Sequence, residues 1–168
     1  MDNFQKRLDV LIDAFEIIHP YFELYKLNIY GDGPDKCWLE EYIRNKDLQK
    51  FVIMRGVTNN TLDILSKSKM LILTSDFEGI PNILIEAMQV GIPIVSTDCS
   101  PGGARLLIQN TENGFLVERG NPKAISECVK ILLEDKSCQQ SFSQKSRKSL
   151  FRFSEPVIEK TWLTYLMT

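Results

Sequence analysis

Residues 70–95 read MLILTSDFEGIPNILIEAMQVGIPIV, and this stretch decides the fold class. Met70 to Leu73 is a short apolar run without alternation, the pattern of a strand buried on both faces. A polar loop follows: Thr74-Ser75-Asp76-Phe77-Glu78-Gly79-Ile80-Pro81-Asn82. Pro81 suits the first turn of a helix, where its fixed φ is already helical and its missing N–H would have had no partner. The helix runs from Pro81 to Val90, Gly91 ends it, and Ile92 to Val95 is a second apolar strand. Strand, loop, helix and strand make one βαβ unit, whose strands are parallel and whose crossover is right-handed.

The same alternation extends in both directions. Upstream, Leu8, Leu11, Ile12, Phe15 and Ile18 recur at helical spacing, which predicts an amphipathic helix over 3–18. Lys26 to Tyr30 reads as a strand that runs into the turn Gly31-Asp32-Gly33-Pro34. Cys37 to Arg44 is helical, Phe51 to Met54 is a strand ending near Gly56, and Asn59 or Asn60 caps a short helix through Ser66. Downstream, Gly102-Gly103 opens a short helix to Ile108 and Gly114 to Val117 is the last strand, before helical patterns over 122–134, 137–149 and 155–166. The fold class is α/β: a doubly wound, Rossmann-like parallel sheet with helices on both faces. Residues 1–168 form one domain, with no linker long enough to divide them and no internal repeat. The chain opens on a helix where such a fold opens on a central strand, so the expectation is that the first strand is missing.

Composition narrows the function. Formal net charge is −2, which argues against nucleic acid as the main partner. Cys37, Cys99, Cys128 and Cys138 show no C-x-x-C spacing and His19 is the only histidine, a pattern that fits neither a zinc site nor a disulfide framework. Free thiols in a reducing, cytoplasmic compartment are expected, with a surface or capping role for His19. The longest apolar run, Ile83 to Val95, is broken by Glu86, Gln89, Gly91 and Pro93 and is shorter than the roughly 20 residues that span a bilayer. Ser146, Arg147, Lys148 and Arg152 read as a solvated basic face, with peripheral contact to the inner face of the cell membrane as the second reading.

In an open parallel sheet, ligands bind at the carboxyl ends of the strands, and three unusual loops fall there. Gly31-Asp32-Gly33-Pro34 permits a tight turn, or a close backbone approach to a ligand. The loop from Thr74 to Asn82 ends at a helix start, whose exposed amides suit a diphosphate. Asp98-Cys99-Ser100-Pro101-Gly102-Gly103 offers two adjacent glycines at another helix start. Within Ile83 to Val95 the only charged residue is Glu86. A carboxylate in so apolar a helix either lies on its one polar edge, is paired with a cation, or accepts two hydrogen bonds from a vicinal diol such as a ribose.

Phe77-Glu78-Gly79-Ile80-Pro81-Asn82 followed by Glu86-Ala87-Met88 resembles the E-x7-E signature of the family 4 retaining glycosyltransferases of GT-B fold. Lys6 in Gln5-Lys6-Arg7-Leu8-Asp9 resembles the family's basic residue before the first helix, and Ile29 to Pro34 its G-x-G-P turn. Gly56, Pro101-Gly102-Gly103-Ala104-Arg105, Asn113 to Val117 and Arg152-Phe153-Ser154 match further segments in order, so that the resemblance covers essentially the whole chain.

The resemblance implies the carboxyl-terminal, donor-binding lobe of an enzyme for hexosyl transfer from a nucleotide-diphosphate sugar, without metal, in surface polysaccharide or glycoconjugate synthesis. It implies Glu78 and Lys6 as catalytic residues, the one facing the donor sugar and the other the departing diphosphate. Glu86 would hold the ribose, and amides around Gly79, Ile80, Pro81 and Asn82 the sugar and diphosphate. Val57 would meet the base, and Gly31 and Gly33 would line the cleft. The donor is expected to carry UDP rather than GDP, with no cofactor. The family's arginine upstream of the lysine has no counterpart here, and Leu106 stands where a glutamate is common. The amino-terminal, acceptor-binding lobe is the expected missing partner. A nucleotide-sugar-binding module, or one subunit of a split enzyme, is the alternative.

Overall fold

The computed structural model describes residues 2–166. Five strands alternate with helices: β1 (Leu27–Tyr30), β2 (Val52–Gly56), β3 (Leu71–Leu73), β4 (Ile94–Thr97) and β5 (Phe115–Val117). The helices are α1 (Asn3–Lys6), α2 (Leu8–Ile18), α3 (Lys36–Asn45), α4 (Thr61–Ser66), α5 (Asn82–Val90), α6 (Gly103–Leu107), α7 (Pro122–Glu134), α8 (Lys136–Ser149) and α9 (Glu155–Leu166). Every ladder is parallel, as the apolar strands predict, and most element ends fall within two residues of the sequence reading.

The doubly wound α/β class expected from the sequence holds, with parallel strands and helices on both faces. The strands fall into two ladders, β1-β2 and β3-β4-β5, with no hydrogen bonding between β1 and β3 among the described residues. The larger sheet is covered on both faces. Ile94 of β4 joins Leu84, Ala87 and Met88 of α5 in one core, and its neighbour Val95 joins Val10 and Ala14 of α2 and Val129 of α7 in the other. Successive side chains of a strand point to opposite faces, so β4, buried throughout, feeds both. A third core forms around β1 and β2, where Ile29 and Val52 meet Leu11, Ile12 and Leu39.

The helix predicted over 3–18 is broken in two. Arg7, between α1 and α2, adopts a left-handed conformation with φ of 49°, which costs a non-glycine residue roughly 1–2 kcal/mol. Two carboxylates hold it there. Arg7 Nη2 lies 3.1 Å from Asp9 Oδ2 and Nη1 lies 3.1 Å from Asp76 Oδ2. Hydrogen bonding to Asp9, and then to Asp76, raises the guanidinium pKa above its ordinary value against the opposing effect of burial.

Two further expectations are corrected. His19 does stand at the C-cap of α2, but it is not a surface residue; it is buried, stacked on Phe15 and tilted against Phe51 with ring centroids 3.9 Å apart. Pro20 places it in a short 3-10 turn that closes α2 onto this aromatic pair. The basic cluster is not simply a solvated face. Ser146 is buried and donates to the Asn113 carbonyl at 2.7 Å, Arg147 donates to the Val90 carbonyl, and Arg152 donates to the Leu106 and Leu107 carbonyls. These cations satisfy carbonyls at the carboxyl ends of α5 and α6, where the helix dipole favours positive charge. Among the described residues, no helix is long and apolar enough to cross a membrane.

Candidate functional site

The break at Arg7 places Lys6 and Gln5 over the loop between β3 and α5. Asp76 N–H donates to the Gln5 carbonyl at 2.8 Å, Gln5 Nε2 donates to the Phe77 carbonyl at 2.9 Å, and Thr74 Oγ1 donates to the Lys6 carbonyl at 2.9 Å. These bonds fix α1 to the loop and bring Lys6 Nζ to 2.5 Å from Glu78 Oε1, which also accepts from Ser75 Oγ at 2.8 Å. The glutamate side chain is 15% exposed and the lysine 44%, so the ion pair sits at the mouth of the site, with its carboxylate sheltered and its ammonium reaching solvent.

The same loop is joined to the one after β4. Glu78 N–H donates to the Ser100 carbonyl and Ser100 N–H to the Asp76 carbonyl, both at 2.9 Å, while Thr97 Oγ1 donates to the Ser75 carbonyl at 2.6 Å. Gly103 shows why glycine is required there. A Cβ at that position would stand 1.4 Å from the Gly79 carbonyl oxygen, so the two loops touch backbone to backbone. Gly79 and Ile80 are exposed beside this contact.

Helix α5 begins at Asn82, with Pro81 at its N-cap and no side-chain acceptor for its first amides. An uncapped, glycine-flanked helix start presents its N–H groups and positive dipole end to whatever anion approaches. Glu86 lies four residues beyond Asn82, hence on the same helix face. Its Oε2 is buried and has no hydrogen-bond partner. Glu86 as a whole is half-buried, and among the described residues no cation pairs with it, so the ion-pair reading fails while a partly solvated edge does not. An orphaned buried carboxylate oxygen is costly, and a hydroxyl donor would relieve it.

Gly31 and Gly33 both have positive φ, 130° and 156°, and Gly31 N–H donates to the Gly56 carbonyl at 2.7 Å. That bond sets Val57, itself 74% exposed, next to the glycine turn. Lys6, Gly31 and Gly33 line one groove together with Thr74 and Ser75. Glu78, Glu86, Gly79, Ile80, Pro81, Asn82 and Val57 are not on its wall; Glu78 is tied to the groove only through Lys6 and Ser75.

Sequence reasoning passed over Gln5, Arg7, Ser75, Asp76 and Ser100. Ser75 and Asp76 stand inside the quoted loop and could have been nominated as polar residues at a strand's carboxyl end. Gln5, Arg7 and Ser100 act through contacts that bridge 69 to 72 residues, or through backbone atoms, and carry no local signal.

The family model for glycosyl transferases group 1 matches residues 2–149. The chain is 31% identical over 157 residues to the poly(glycerol-phosphate) alpha-glucosyltransferase of Bacillus subtilis, covering 94% of this chain and 23% of that one. It is 29% identical over 159 residues to the poly(ribitol-phosphate) alpha-N-acetylglucosaminyltransferase of Staphylococcus aureus, covering 94% and 32%. Among solved structures, a variant of S. aureus TarM in complex with Fondaparinux, alpha-GlcNAc-glycerol and UDP superposes with a TM-score of 0.86 at 28% identity, over 95% of this chain and 32% of that one. The chain spans from 17% to 44% of the length of the curated relatives it matches. With the family model matching most of its length, and the parallel sheets and loop arrangement described above, the chain belongs to the group 1 glycosyltransferases.

Proposed function

We propose that this chain binds the donor of a retaining, metal-independent hexosyl transfer, and that the donor is a UDP-sugar used in building a surface polysaccharide or glycoconjugate. The observation that carries the reading is the orphaned Oε2 of Glu86, one helical turn from the uncapped start of α5. A vicinal diol donates to both oxygens of one carboxylate, so a ribose held at Glu86 would supply the missing bond. Its diphosphate then falls toward the amides of Asn82 and Ile83 and the ammonium of Lys6. Those groups neutralise the charge that develops as the anomeric bond breaks, and a preorganised set of donors needs no rearrangement at that moment. Glu78 orients Lys6 and offers a carboxylate to sugar hydroxyls. The UDP in the TarM complex supports uridine over guanosine.

The partner in this reading is a second, acceptor-binding lobe, which the relatives' greater length leaves room for. The setting is the cytoplasmic side of the membrane. Trp162, Tyr165 and Leu166, exposed on α9, offer an apolar contact there.

Calorimetric titration with UDP and GDP, in metal-free buffer, tests the reading. UDP is expected to bind, and Glu86→Ala to weaken it at least tenfold, about 1.4 kcal/mol. A folded Glu86→Ala variant that binds UDP as tightly as the wild type would overturn it.

A further inference from the structure

Lys6 and Glu78 are partners in the structure, 2.5 Å apart. The function proposed above, on which this inference rests, sends them to different parts of the donor, the ammonium to the diphosphate and the carboxylate to the sugar. The two ends of the pair are not equally free. Lys6 is held at its backbone, where its carbonyl accepts from Thr74 Oγ1 at 2.9 Å, but its side chain is 44% exposed on a flexible four-carbon stem. The Glu78 side chain is 15% exposed, so the lysine is the end that moves. A diphosphate beside the ammonium also brings negative charge toward the Glu78 carboxylate, and like charges repel more strongly in a sheltered site than in water. Among the described residues no second cation pairs with Glu78. Without another restraint, the carboxylate would lose its position when the sugar needs it.

Ser75 supplies that restraint. Its hydroxyl donates to the same Oε1 at 2.8 Å. Ser75 is wholly buried, as is Thr97 of β4, whose Oγ1 donates to the Ser75 carbonyl at 2.6 Å. Glu78 is also tied at its backbone, since its N–H donates to the Ser100 carbonyl at 2.9 Å. Its side chain is therefore pinned at both ends by groups that do not depend on Lys6. A hydrogen bond to a carboxylate is charge-assisted and stronger than one between neutral groups.

We propose that Ser75 is a positioning residue for the transfer: it holds the Glu78 carboxylate against the donor sugar while Lys6 leaves that carboxylate for the diphosphate. The departing ammonium opens one acceptor position on Oε1, and a sugar hydroxyl takes it while Ser75 keeps the oxygen in place. A hydroxyl carries one proton, and Ser75 commits it to Glu78, so the serine acts through the glutamate. Two parts of donor recognition separate as a result. The nucleotide diphosphate depends on Lys6 and not on Ser75; the sugar depends on Glu78 and Ser75 together.

Calorimetric titration in metal-free buffer of the wild type, Ser75→Ala, Glu78→Gln and the double variant, each with UDP, UDP-glucose and UDP-N-acetylglucosamine, tests this separation. The quantity read is the ratio of UDP-sugar to UDP affinity, for whichever sugar the wild type binds better. Ser75→Ala is expected to bind UDP within about twofold of the wild type, which also shows that it is folded, and to lower the ratio at least about fivefold. In the Glu78→Gln background the same substitution is expected to lower the ratio by less than about twofold, because the two residues act as one unit. An unchanged ratio in Ser75→Ala overturns the proposal. So does an equal loss of UDP and UDP-sugar binding, the mark of a serine that only supports the fold. A fall in the ratio that persists in the Glu78→Gln background overturns it too, since Ser75 would then touch the donor itself. Failure of the donor reading shows differently, as a wild type that binds no nucleotide, and that result overturns both.

Discussion

Replacing Gly103 by alanine tests the contact between the two loops more sharply than any charge reversal would. The new Cβ would meet the Gly79 carbonyl oxygen at 1.4 Å, where real Cβ atoms essentially never come within 3.0 Å, so one backbone segment must shift by about 1.6 Å. Neither segment is a side-chain tip that can swing aside. The Glu78–Ser100 and Ser100–Asp76 bonds tie both loops together, so the shift strains or breaks them. Overpacking of this kind costs about 1–3 kcal/mol, which in a chain of this size lowers Tm by about 2–12 °C. Gly79→Ala is the matched control on the other side of the same contact: its Cβ would find nothing within 4 Å. It should change stability by less than about 0.5 kcal/mol. Differential scanning calorimetry of the two variants and the wild type reads the difference directly, and UDP titration of Gly103→Ala should show at least a tenfold loss. A Gly103→Ala protein that melts with the wild type would refute the backbone contact and, with it, the account of how the loops are positioned.

Other outcomes follow from the same geometry. Arg7 carries left-handed strain that glycine escapes, so in chemical denaturation Arg7→Ala should be less stable than Arg7→Gly by about 1–2 kcal/mol, although both lose the same ion pairs. Asp135 caps α8 by accepting from Ser137 and Cys138, and hydrogen bonding to the Ser137 side chain and then the Cys138 amide lowers its pKa below the ordinary 3.8. A carboxylate with a depressed folded-state pKa stabilises above the unfolded value and loses that contribution as pH falls through the folded one. The Tm gap between wild type and Asp135→Ala should therefore be full at pH 6 and shrink below about pH 3.8. Burial raises the pKa of the Cys128 thiol to about 11, and Cys37 is exposed. An aromatic disulfide reagent at pH 8 should thus modify Cys37 well before Cys128, as peptide mapping would show.

Much of this molecule is written locally. The short, apolar, non-alternating runs at Met70 to Leu73 and Ile92 to Val95 read as parallel strands covered on both faces, and Pro81 with Gly91 brackets the helix between them. The resemblance to the family was legible in the sequence because Glu78 and Glu86 stand at E-x7-E spacing and the Gly31-Asp32-Gly33-Pro34, Pro101 to Arg105 and Asn113 to Val117 segments follow in the family's order. Tertiary structure decided what depends on distant partners. Arg7 breaks a helix that its periodicity would continue, because Asp76, 69 residues away, holds it, and that break brings Lys6 onto Glu78. The hydrophobic pattern buries His19 no more than it buries any residue at a helix end; Phe51 does that. Arg147 and Arg152 read as solvated charges until the open carbonyls of α5 and α6 come beside them. The division into two ladders has no local signature either, since each strand's own sequence is satisfied by any parallel neighbour, and only the assembled chain shows that β1 and β3 face each other across a groove.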